Sequence, residues 1–197
     1  MMTFIRCAVV ALLLAPGAGS AQDFNAGLAA YDAGDYAAAL QEFLPLAEQG
    51  NASAQHNLAL MYRHGRGVAQ DDAEAVRWYR LAAEQGNAKS QNSLGVMYDS
   101  GRGVPQDDAE AVRWYRMAAE QGVAEAQANL GLMYGTGEGV PQDDATAHMW
   151  LNLAAAQGVA RAADLRDKLA GLMTAADIYE AQRRAPLCLE SDYRDCD

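Results

Sequence analysis

Apolar positions recur along this chain at helical spacing, and the whole pattern then recurs at a longer one. From Ala47 the chain reads AEQGNASAQHNLALMYRHGRGVAQDDAEAVRWYRLA, from Ala83 AEQGNAKSQNSLGVMYDSGRGVPQDDAEAVRWYRMA, and from Ala119 AEQGVAEAQANLGLMYGTGEGVPQDDATAHMWLNLA. The three align without gaps on a period of 36 residues, and a fourth start, AAQGVARAADL from Ala155, departs part-way. A fixed period of this size signals stacked supersecondary units, each too small to bury its own apolar face.

Each unit reads as two helices. The first helix, A, covers roughly Asn51 to His64 in the first unit, with Ala54, Leu58, Met61 and Tyr62 at a 3.6-residue spacing. Ala59 becomes Gly95 and Gly131 in the later units, a small residue that admits a close neighbour. Helix A is expected to stop at a glycine pair, Gly65/Gly67, Gly101/Gly103 and Gly137/Gly139. Val68, Val104 and Val140 then plug the loop into the core. Helix B opens with Asp71–Glu74 and Asp107–Glu110, the spacing of a capping box, with Thr146 in place of the acid in the third unit. It continues through Ala75, Trp78, Tyr79, Ala82 and Ala83 at helical spacing, and the recurring Trp and Tyr are expected in the core.

The ends are atypical. Asn25 to Gly50 reads as a hairpin with a tighter turn at Gly34–Tyr36; Val159 to Met173 reads as a helix, and Thr174 can cap a last one through about Arg184. The expected organisation is 22–50 for a first hairpin, 51–158 for three repeats, 159–185 for capping helices and 186–197 for a tail holding two cysteines.

The shared pattern, AxAQxxLGxMYxxGxGVPQDDAEAxxWYxxAAEQG, resembles the Sel1-like repeat of the tetratricopeptide superfamily, carried by Leu94, Gly95, Tyr98, Gly101, Gly103, Asp107, Trp114 and their equivalents. AYDAGDYAAAL near the start looks like an ordinary tetratricopeptide unit. The resemblance implies an all-α, right-handed solenoid of antiparallel helix pairs, with helix A lining a concave face that holds a protein partner. On that face it places Ser53, His56, Leu60, Arg63 and His64, then Lys89, Asn92, Val96, Asp99 and Ser100, then Glu125, Ala128, Leu132, Gly135 and Thr136. Leu60, Val96 and Leu132 either form an apolar line there or pack against a neighbouring helix B. Exported relatives include kinase regulators and components of polysaccharide secretion. Cysteine-rich relatives have been linked to β-lactam chemistry, but no repeat here contains a cysteine.

Composition adds a compartment. Residues 1–21, MMTFIRCAVVALLLAPGAGSA, carry one base, an apolar run from Cys7 to Ala15 and small residues before Gln22, the pattern of a secretory signal cleaved near Ala21. The run is well short of the roughly 20 residues that a membrane span requires. A soluble periplasmic or secreted protein is expected, with Cys188 and Cys196 paired as a disulfide in an oxidising compartment. The formal charge is −11, and losing Arg6 with the signal takes it to −12, a surface that disfavours nucleic acid and anionic lipid as partners.

Catalytic and metal chemistry find little support. The Gly-Arg-Gly-Val loops lack the phosphate-loop pattern. The paired acids Asp71–Asp72, Asp107–Asp108 and Asp143–Asp144 suit helix starts better than calcium. His56 and His64 are about 12 Å apart along a helix, too far to share one ion, and His148 reads as a packed histidine. With no nucleophile–base set and no implied cofactor or metal, the expectation is a non-enzymatic scaffold or regulator that binds a cell-envelope protein. The alternatives are a cell-wall or β-lactam hydrolase and an assembly factor for polysaccharide secretion.

Overall fold

The computed structural model describes residues 23–193 and Cys196. The expected export signal, residues 1–21, lies outside the described residues. Regular structure among the described residues is all helical: α1 (Phe24–Asp32), α2 (Tyr36–Glu48), α3 (Ala52–His64), α4 (Asp72–Glu84), α5 (Ala88–Ser100), α6 (Asp108–Ala119), α7 (Ala124–Thr136), α8 (Asp144–Ala156), α9 (Ala160–Ala170) and α10 (Ala175–Glu190). Helices α1 to α9 each pack on their neighbours in sequence, which gives four stacked hairpins with α9 covering the last. Odd-numbered helices are the A helices of the repeat and even-numbered ones the B helices.

The glycine pair does two separate jobs. Gly65, Gly101 and Gly137 end the A helices in the left-handed region, with φ of 66°, 64° and 76°. The second glycine sets the stacking distance. A Cβ on Gly103 would lie 2.2 Å from the Asp72 carbonyl oxygen, and one on Gly139 2.2 Å from that of Asp108. Each loop therefore lies directly on the first turn of the preceding unit's helix B. Arg102 adds a two-pronged contact to the Asp72 carboxylate at 3.0 Å. Val68, Val104 and Val140 are half-buried against the core, as their spacing implied. Within each hairpin the small A-helix position admits the partner helix: a Cβ on Gly95 would lie 2.6 Å from the Tyr115 ring.

The capping box forms only by half. Asp107 accepts the Glu110 amide at 3.0 Å, but its own N–H donates to the Tyr98 carbonyl at 3.1 Å, so no donor remains for a returning Glu. The Glu110 carboxylate instead accepts from Arg113 at 2.9 Å, and that guanidinium lies over the Trp114 ring, 4.1 Å from its centroid. Glu74, Arg77 and Trp78 repeat the arrangement. The missing Glu at Thr146 therefore does not weaken the third cap, where Asp143 accepts both the amide and the hydroxyl of Thr146. Replacing Asp107 with Ala should lower stability by about 1 kcal/mol, whereas Glu110→Ala should cost less than about 0.5 kcal/mol. Parallel thermal melts would check this ranking, which a full reciprocal box would abolish.

A second series, absent from the expectations, joins units together. Gln55, Gln91 and Gln127 are buried, and each donates to a carbonyl of the preceding B helix: Ala47 at 3.0 Å, Ala83 at 3.1 Å and Ala119 at 3.2 Å. Each side-chain oxygen then accepts from the next AEQG-type glutamine, Gln85, Gln121 or Gln157. Three consecutive helices are thus tied by buried amides, each adding a second donor to a carbonyl that already accepts from the turn amide of Gly50, Gly86 or Gly122.

The C-terminus departs from the expected tail. α10 continues through Pro186 to Glu190, so residues assigned to a tail from 186 are partly helical. Ala181, Ala185 and Cys188, spaced one helical turn apart, keep a buried face along it. This face packs on α8 rather than on α9, its neighbour in sequence. Beyond the helix Cys188 is joined to Cys196, and the Tyr193 ring reaches back to Gly122, where a Cβ would come within 3.3 Å.

Candidate functional site

The A helices place the candidate binding residues in three different environments. His56, Asn92 and Ala128 occupy equivalent positions that turn toward the next A helix. His56 Nδ1 lies 2.9 Å from Ser90 Oγ, and the Asn92 side-chain oxygen accepts from Asn129 at 3.2 Å. Ala128 is wholly buried with Leu151, Ala154 and Ala162, so its expected place on the open face is corrected: α9 covers it. A methyl group there lets α9 approach, and with no following repeat to align, the sequence did not show that cover.

The expected apolar line is interrupted. Leu132 is 36% exposed, whereas Val96 is half-buried against the core around α6, α7 and α8. Leu60 is half-buried beside a recess of about 370 Å³ that Phe24 and Leu28 wall on one side and His56, Asn57, Asn87 and Lys89 on the other. The face thus offers a mixed polar recess across α1, α3 and α5. A second, apolar recess of about 190 Å³ lies between α7 and α9, lined by Leu132, Leu151, Leu165, Leu169 and Leu172, with Lys168 beside them. Leu172 is 84% exposed. Sequence reasoning did not find this second recess, because Leu165, Leu169 and Leu172 fall after the repeat pattern breaks.

Between the two recesses the face is polar. Arg63 lies beside the buried Tyr79 hydroxyl, and the Tyr115 hydroxyl donates to Asp99 at 3.1 Å. Burial, then the Asp99 charge, push the Tyr115 phenol well above its ordinary range. Both tyrosines therefore stay neutral at physiological pH. His64 and Lys89 are exposed, and burial followed by the charges of Arg63, Arg66 and Arg102 holds the His64 pKa down. Among the described residues no three His, Cys, Asp or Glu side chains group to hold a metal, and no helix is long and apolar enough to cross a membrane. Of the paired acids, Asp71 caps α4 and Asp72 receives Arg102, so both are engaged in structure.

His56 carries a pH dependence. Burial, then the adjacent Lys89, lower its pKa from 6.5 to about 4. The folded protein keeps this ring neutral where the unfolded chain is already protonated. Its contribution to stability is complete above pH 6.5 and drains away as pH falls from 6.5 toward about 4. With solvent still reaching part of the mostly buried ring, the loss should be on the order of 1–2 kcal/mol. Urea midpoints at both ends of this interval should fall less in His56→Gln than in the parent chain; equal falls would dismiss the ring as the source.

Residues 52–87, 88–123 and 124–159 each match the Sel1 repeat family. A crystal structure of a Sel1 repeat protein from Oxalobacter formigenes is similar at 36% identity and a TM-score of 0.68, over 71% of this chain and 58% of that one. The crystal structure of c5321, described as a protective antigen of uropathogenic Escherichia coli strains displaying an SLR fold, is similar at 43% identity and a TM-score of 0.66, over 68% of this chain and 30% of that one. The chain thus spans little more than half of the first of these proteins and under a third of the second. No curated protein matches the sequence. Sel1-like repeat proteins generally mediate protein–protein interaction and are typically non-catalytic. With three matched repeats covering more than half of its length and a stack of helix pairs shared with solved relatives, the chain belongs to the Sel1 repeat family.

Proposed function

We propose that this protein is an exported, non-enzymatic scaffold that holds a protein partner in the cell envelope along its A-helix face. The observation that carries the reading is the pair of recesses on that face, one mixed and flanked by Lys89, the other apolar and flanked by Lys168. Helical stacks of this kind present extended surfaces to partner segments. The two lysines supply cations on a chain whose formal charge is −11, which favours a partner segment with acidic residues. Export rests on the signal pattern of residues 1–21. Assembly of polysaccharide-secretion machinery is one task such a scaffold could serve.

Crosslinking and affinity capture of residues 22–197 from periplasm, read by mass spectrometry, tests the reading. One envelope protein should be enriched, and it should be lost with Lys89→Glu or Leu132→Glu while helicity persists. Capture that survives both substitutions would move the site to an edge of the stack. Turnover of nitrocefin by the purified protein would replace the scaffold reading with a hydrolase.

A further inference from the structure

Two departures from the repeat pattern meet at the apolar recess. In the second unit, Tyr115 on helix B donates its hydroxyl to Asp99 on helix A; in the first, the equivalent pair is Tyr79 and Arg63. In the third unit the same two positions hold Leu151 and Gly135. Both polar groups are gone together, and the recess of about 190 Å³ between α7 and α9 is bordered by both replacements.

Gly135 has no packing reason to be glycine. It lies inside α7, and a Cβ there would meet nothing nearer than the Ala147 Cβ at 3.6 Å, an ordinary contact. Gly131, one turn earlier, differs: a Cβ would lie 2.8 Å from Leu151 Cγ. A glycine inside a helix is less favourable than alanine, so Gly135 gives up helix stability without gaining close approach. Its effect is to leave the recess open. The opening is walled by leucines, and Lys168 beside it makes no ion pair among the described residues.

We propose that this recess is an anchor pocket for a partner peptide that presents one large apolar side chain, leucine to phenylalanine in size, next to a carboxylate. The apolar side chain fills the space vacated by the Tyr–Asp pair, and the carboxylate meets Lys168. Anchors of this kind carry most of the affinity of a docked segment. The inference rests on the reading that the A-helix face binds protein, and it names the pocket and the chemistry that this face selects.

The test is a phage-displayed library of random dodecapeptides panned against residues 22–197. Enriched peptides are then measured by fluorescence anisotropy against the parent chain, Gly135→Met, Lys168→Glu and Lys89→Glu, with circular dichroism as a check of folding. Enriched peptides should share Leu, Phe or Trp beside Asp or Glu. Affinity should fall by about tenfold or more in Gly135→Met, and Lys168→Glu should regain binding when the peptide's acid is replaced by lysine. If Gly135→Met does not fold, the charge exchange at Lys168 decides alone. Peptides insensitive to both Gly135→Met and Lys168→Glu overturn the pocket; if Lys89→Glu abolishes their binding, the A-helix face still binds protein, through its other recess. Failure to enrich any peptide overturns both readings.

Discussion

Gly103→Ala should destabilise the stack by more than about 3 kcal/mol. Two effects combine at this position. The residue sits at φ +69°, where a side chain is strained, and its Cβ would fall 2.2 Å from the Asp72 carbonyl oxygen and 2.3 Å from the carbonyl carbon. Both contacts are with backbone at the first turn of α4, so no rotamer change relieves them. Gly86 isolates the first effect, because it has φ +87° and nothing within 4 Å of its Cβ. Gly86→Ala should therefore cost only on the order of 1 kcal/mol. Thermal melts should show Gly103→Ala lower by about 10 °C, and the single transition should broaden as the hairpin α3–α4 uncouples from α5–α6. Equal losses for the two variants would mean that the loop does not bear on α4 in solution.

Met149→Arg should release α10 while leaving the repeats folded. The substitution restores the residue found at Arg77 and Arg113, where the side chain is about half-exposed over its tryptophan and paired with glutamate. Met149 is wholly buried in the cluster that also holds Ala185, Cys188 and Tyr193, and no acid stands at Thr146 to receive a guanidinium. Losing a buried Met side chain costs about 2–5 kcal/mol, and an unpaired charge under α10 adds to it. Hydrogen exchange across residues 175–190 should accelerate by about a hundredfold or more, with most of the helical signal retained. The disulfide joins Cys188 to Cys196 within the same segment, so it does not tether α10 to α8. Unchanged exchange in α10 would show that α8 is not its dock.

The two substitutions divide the molecule along the line between local pattern and tertiary context. The helix-ending glycines Gly65, Gly101 and Gly137, the N-cap aspartates Asp71, Asp107 and Asp143 and the core series Trp78, Trp114 and Trp150 could be read from a 36-residue period, because each acts within its own unit or at a boundary repeated three times. The candidate face was legible only in part. His56, Leu60, Lys89 and Leu132 line or border open space, but Ala128 is covered and Val96 packs on the core. Whether an A-helix position is open depends on the length and tilt of the next A helix, which the position's own unit does not encode.

The amino-acid sequence by itself determined the helix pairs, their boundaries, the turn glycines and the family pattern, since these rest on short-range periodicity, capping and backbone conformation. Tertiary structure alone decided three things. It showed that Glu74 and Glu110 hold arginines over tryptophans instead of completing capping boxes. It showed that Thr146 and Met149, which differ from their repeat equivalents, lie where α8 receives α10. It also showed that Leu151 and Gly135, distant in sequence, border one recess. In each case the deciding contact reaches another helix, in the first through the Tyr62 and Tyr98 carbonyls that take the Asp71 and Asp107 amides, and a pattern read along one chain cannot show which of its departures meet in space.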